Sequence, residues 1–141
     1  MTTDITQLIQ LAVAPVFLLS GVGVTLGVLT NRLARIVDRA RVAEKEIDGE
    51  SGQAGSMERH LRVLRLRARY IQFAIAASTV SAVLVSLTVM MLFVHALIGV
   101  NLAIAIAVVF VAAMLSLTAG LVAFLIEVRI STATLRIGGR R

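Results

Sequence analysis

The chain of 141 residues has no cysteine, no tryptophan, one proline and one tyrosine. Without cysteine, disulfides and thiolate metal sites are excluded. The two histidines, His60 and His95, lie far apart in sequence, which argues against a zinc site. Charge is scarce as well. Charged residues make up 16% of the chain, where a soluble domain typically carries about 25%. No Lys, Arg, Asp, Glu or His lies well inside any long apolar run. Ion- and proton-coupled transporters usually hold one there, so no proton relay is expected. No glycine cluster leads into Gly-Lys-Ser/Thr, so there is no Walker loop. No Ser, His and carboxylate fall where one catalytic site could gather them. The sequence therefore offers no enzyme constellation, no cofactor site and no metal site.

What is present is sharply segregated. Hydrophobic residues make up 58% of the chain, and the formal net charge is +6. Ten of the fourteen basic residues lie within residues 31–69, and Arg129, Arg136, Arg140 and Arg141 close the chain. Between and before these basic blocks are apolar runs long enough to cross a bilayer. The pattern predicts an all-α membrane protein forming a single domain over residues 1–141. Its three transmembrane helices are expected at about 5–30, 71–95 and 102–126. The first run is too long for a signal peptide, and only Asp4 precedes it as a charge. Basic loops stay on the cytoplasmic side. The N-terminus is accordingly expected outside, with residues 31–69 and the basic tail 129–141 in the cytoplasm.

The basic stretch reads as two helical arms around a turn. Leu33, Ile36, Ala40, Ala43 and Ile47 recur at steps of three and four, as do Met57, Leu61, Leu64, Ala68 and Ile71. Such steps make narrow heptad seams. Residues 48–56 are rich in Gly and Ser and suit a turn. The expectation is an antiparallel coiled-coil hairpin between the first and second spans. Each arm should continue into its membrane helix without a break. Arg32, Arg35 and Arg39 form one triplet on the first arm, and Arg62, Arg65 and Arg69 another on the second. These arginines are expected to meet anionic lipid headgroups at the inner surface. A sharper alternative is an arginine-lined mouth where several hairpins converge. The planar guanidinium fork suits phosphate in either case. No nucleic-acid partner is expected, because no aromatic residue interleaves the arginines before Tyr70.

Several positions suggest helix packing. Gly23 and Gly27, and the four-step ladder Ala112, Ser116 and Gly120, would let another helix approach closely. Pro15 should kink the first helix. On the second span Ala74, Ser78, Ser81, Thr88 and His95 share one polar face. That face either packs on a neighbour or lines a water path. Glu127 is the one acid near the inner end of a span, and should pair with Arg129 or with an arginine of the hairpin. Gly99 is available for the outer bend. Two functional readings follow. One is a homo-oligomer that conducts ions or small solutes along the Ser78, Ser81, Thr88 and His95 face, with an arginine-lined cytoplasmic mouth. The other is a non-conducting scaffold whose hairpin binds a cytoplasmic protein partner or anionic lipid.

Residues 8–23, LIQLAVAPVFLLSGVG, and 29–41, LTNRLARIVDRAR, carry a resemblance. They resemble a bacterial family of small membrane proteins described only as domain of unknown function 2721. The resemblance implies a multi-pass protein of the bacterial inner membrane and brings no catalytic residues. Asn31, Arg32, Arg35, Asp38 and Arg39 carry its polar part.

Overall fold

Inside a bilayer no water is available to the peptide groups, so a spanning segment must bond them within itself. Runs of Leu, Ile, Val and Ala do this as helices. A computed structural model describes residues 5–49 and 54–137. They form α1 (Ile5–Gly49), α2 (Ala54–Ile98) and α3 (Ala103–Ile137), and no strand occurs among the described residues. Each helix holds a stretch long and apolar enough to cross a membrane. The protein is a multi-pass membrane protein.

The first two helices have 45 residues each. At ~1.5 Å per residue that is about 68 Å, more than twice the ~30 Å of bilayer hydrocarbon. Both therefore run well beyond their apolar stretches, as expected from the missing breaks at residues 31 and 70. α1 continues through Pro15. The helices take residues 48–49 and 54–56 from the expected turn, and its centre, residues 50–53, lies outside the described residues. So do the polar start, residues 1–4, and the end of the basic tail, residues 138–141. α3 continues past the expected end of its span at about 126 to Ile137. The first glycines of the basic tail are Gly138 and Gly139, so nothing in the tail before them disfavours the helix.

The helices pack along seams that repeat every seven residues. On α1 the series is Pro15, Val22, Leu29, Ile36 and Ala43, with Ala12 buried beside its start. On α2 one series is Leu64, Ile71, Ser78 and Val85, and a second is Ala74, Ser81 and Thr88. On α3 the series is Ala113, Gly120 and Glu127. A seven-residue repeat keeps one stripe of a slightly supercoiled helix against its partner. α2 lies in the middle, with α1 and α3 both packed on it. Ile36, Leu64 and Ile71 form one buried cluster, with Leu33, Ala40 and Ala68 against it. These are the apolar residues of the two expected seams. Leu29, Ala74 and Ala123 form another cluster, drawn from all three helices. Outward-facing side chains such as Phe17, Val24, Ile104 and Leu115 are exposed within the chain. In lipid such exposure costs nothing, because hydrocarbon is as apolar as they are.

Beyond α2, Gly99 adopts φ +72°. Its amide donates to the His95 carbonyl at 3.1 Å. This left-handed residue closes the helix, a conformation glycine adopts without steric cost. The His95 Nδ1 lies against the Val100 carbonyl across the same turn.

A candidate charged junction of the three helices

Seven-residue stepping decides which polar groups meet at the end of the core nearest the arginine-rich arms. On α3, one step beyond Gly120 is Glu127. On α2, one step before Ala74 is Arg67. A Cβ at Gly120 would lie 3.1 Å from the Ala74 carbonyl oxygen. One heptad along, the Arg67 Nε and Nη2 donate to the Glu127 Oε1 at 3.0 and 2.9 Å. Partner numbers rise on α2 as they fall on α3, so these two helices run in opposite directions. Arg32 of α1 completes the group, with its Nη2 3.6 Å from the Glu127 Oε2. Its guanidinium also lies over the Phe124 ring, 5.3 Å from the centroid, a favourable cation–π placement.

Glu127 is fully buried, and the Arg67 side chain is only 12% exposed. A lone carboxylate at such a place would be very costly. Here one helix supplies the acid and the other two supply guanidinium groups. The coordination is uneven. Oε1 receives two hydrogen bonds, while the buried Oε2 has no hydrogen-bond partner. At 3.6 Å Arg32 contributes attraction through space rather than a bond. Two cations against one anion leave the junction with a local excess of positive charge. Of the two kinds of partner expected for Glu127, Arg129 or an arginine of the hairpin, the structure brings the second, Arg67 and Arg32. Arg129 lies two residues further along α3, where it is exposed, while Glu127 points along the seam into the bundle.

Toward the middle of the bundle, Ser116 donates to the Ala77 carbonyl at 2.8 Å and ties α3 to α2. Ser78 packs against Gly120, where a Cβ would meet its Oγ at 3.0 Å. Ser78 and Ser81 are fully buried, and their hydroxyls have no hydrogen-bond partner. Thr88 is buried too and donates back to the Leu84 carbonyl at 2.9 Å. Ser78, Ser81 and Thr88 therefore lie inside the protomer. α2 carries this face between α1 and α3, which both pack on it. His95 stands apart at the turn between α2 and α3. Of the small-residue positions, Ser116 and Gly120 face α2, and Ala112 is half-buried. Among the described residues Gly23 and Gly27 meet no neighbour, and a Cβ at either would enter open space.

The arginine triplets lie outside the junction, with Arg32 as the exception. Arg35, Arg39, Arg62, Arg65 and Arg69 are exposed. Arg65 reaches Glu44 of α1 at 3.7 Å, an exposed pair of the kind that adds little stability. Arg62, Arg65 and Arg69 line an open recess of about 650 Å³ together with Glu58, Leu61 and Leu66. A second recess of about 550 Å³ lies between α2 and α3, bounded by Tyr70, Phe73, Ala119, Val122 and Ile126 among others. Leu66 and Arg69 belong to both.

Arg67 falls outside the triplets that sequence reasoning singled out. A signal for it was present. Arg67, Ala74, Ser81, Thr88 and His95 are separated by seven residues each, so extending the polar face of α2 one heptad inward reaches it.

The family model described as "Protein of unknown function (DUF2721)" matches residues 12–137. The chain belongs to this family. The matched stretch takes in Arg32, Arg67 and Glu127 together, so the whole junction lies within the DUF2721 region. No curated protein and no solved structure matches the chain.

Proposed function

We propose that this DUF2721 protein is a non-conducting scaffold of the bacterial inner membrane. In this reading its N-terminus is outside, and α1 and α2 extend past the bilayer as an antiparallel cytoplasmic hairpin. The arginines of that hairpin engage anionic lipid headgroups. The observation that carries the reading is the recess shared by Arg62, Arg65 and Arg69 just past the apolar part of α2. Three guanidinium groups beside one carboxylate, Glu58, favour an anion there. The opposite directions of the arms are supported by their contacts, in which Leu29 clusters with Ala74 and Glu44 pairs with Arg65. Gly23 and Gly27, uncovered within one chain, support a homo-oligomer formed through α1. Ser78, Ser81 and Thr88 are buried within one protomer, so they give no support to the conducting reading.

The test is thermal unfolding of the full chain in nanodiscs. The wild type is expected to melt higher in phosphatidylglycerol than in phosphatidylcholine. A variant with Arg62, Arg65 and Arg69 all changed to Gln should lose most of that difference. Salt should reduce the wild-type difference as well, because exposed charges are screened. Equal melting of the wild type in both bilayers would contradict the lipid reading and favour a protein partner for the same arms. Liposomes carrying the protein should leak ions no faster than empty ones.

A further inference from the structure

The two recesses on the outer side of α2 meet at Leu66 and Arg69. Their walls differ in chemistry. One is lined by guanidinium groups, and the other mainly by Phe73, Ala119, Val122, Ala123 and Ile126. Along α2 the apolar groove runs from Leu66 to Phe73, and along α3 from Ile126 back to Ala119. Seven residues at ~1.5 Å each give it a length of about 10 Å. Leu66 and Ile126 stand at the end nearer the arginine recess, Arg69 and Tyr70 midway, and Phe73 and Ala119 at the deep end. Tyrosine suits the level of the headgroups, having an apolar ring and a polar tip. A polar anchor joined to an apolar slot directed toward the bilayer centre matches one class of molecule, an anionic phospholipid.

We propose that one anionic phospholipid seats between α2 and α3, with an acyl chain in this groove and its phosphate held by Arg69 and Arg62. The proposal rests on the reading that the arginine arms meet anionic headgroups, and it adds a discrete site to that diffuse contact. The guanidinium groups select the charge of the headgroup. The groove fixes the position of the chain, which bulk lipid at the surface does not have. Arg65 contributes charge from the rim while reaching Glu44. Because α1 packs on the other side of α2, the seat needs only two helices, and it lies beside the junction without using Glu127.

Native mass spectrometry of the full chain, released from detergent micelles loaded with dioleoylphosphatidylglycerol, tests this. The wild type should retain one lipid per chain. Val122→Trp fills the groove from a position 51% exposed and should lower the retained fraction about tenfold, a 1.4 kcal/mol effect. Ala119→Leu, a smaller filling, should lower it in the same direction if the tryptophan variant folds poorly. Arg69→Gln should remove the preference for phosphatidylglycerol over phosphatidylcholine. Ile104→Trp, an equally bulky change on exposed α3 surface 82% open, should retain lipid as the wild type does. Undiminished retention in both groove variants would overturn the seat while leaving the headgroup reading standing. A wild type that retains no lipid yet still melts higher in phosphatidylglycerol would do the same. Failure of both retention and the melting difference would overturn the two together.

Discussion

Glu127→Ala is expected to destabilise the fold by about 3–5 kcal/mol, the usual cost of removing one partner from a buried ion pair. The loss comes less from the missing attraction than from what remains. Arg67 would keep its charge with its side chain only 12% exposed and its one ion-pair partner among the described residues gone. Arg32 is a third exposed and would suffer less. Glu127→Gln keeps the shape but surrenders the charge, so it should fall between alanine and wild type. The informative variant removes the network as a unit. Glu127→Leu combined with Arg67→Met and Arg32→Met should recover most of the stability, because a well-packed apolar replacement of a buried ion pair is often neutral or better. Reversible unfolding in mixed detergent, followed by helicity, measures all four proteins. If Glu127→Ala unfolds like the wild type, the junction does not hold the helices together.

Gly120→Leu should cost about 1–3 kcal/mol, as expected for overpacking a tight contact. The added Cβ alone would lie 3.1 Å from the Ala74 carbonyl oxygen and 3.0 Å from the Ser78 Oγ. A side-chain hydroxyl can rotate away, but a backbone oxygen cannot, so α2 and α3 must separate. Separation moves Glu127 away from Arg67, one heptad along, so the two losses should be coupled. A double-mutant cycle with Glu127→Ala should therefore give less than the sum of the single effects. Gly23→Leu and Gly27→Leu make the same change where nothing lies within 4 Å. In the monomer they should be nearly silent, and any cost should appear only with chain association.

These contrasts show where the sequence was readable. Segregation of charge from apolar residues made the three helices plain, because a bilayer permits few alternatives. The apolar seams of the arms were equally legible, since Ile36, Leu64 and Ile71 repeat at helical spacing and have one place to go. Three features were less so. Gly23 with Gly27, and Ser116 with Gly120, are the same local pattern, yet one faces outward and the other lies against α2. Spacing marks a face but does not say what covers it. The serines of α2 posed the same ambiguity, since a face of small hydroxyl residues can be wet or packed. Their burial follows from the position of α2 between two other helices, which is a property of the assembled chain. Arg67 was obscured by its neighbours, because nearby arginines at steps of three and four suggest a solvated stripe. Its distinction is the heptad it shares with Ala74 and Ser81, and that becomes meaningful only once the seam is known to be buried.

The account depends most on the side of the membrane occupied by the arginine arms. The chain has no native cysteine, so single cysteines report without background. His60→Cys on the second arm and Leu97→Cys near the outer turn, both at exposed positions, can be probed in intact bacterial cells with a membrane-impermeant maleimide. Leu97→Cys should label in intact cells, and His60→Cys only after the inner membrane is opened. Labelling of His60→Cys from the outside, with Leu97→Cys protected, would contradict the account.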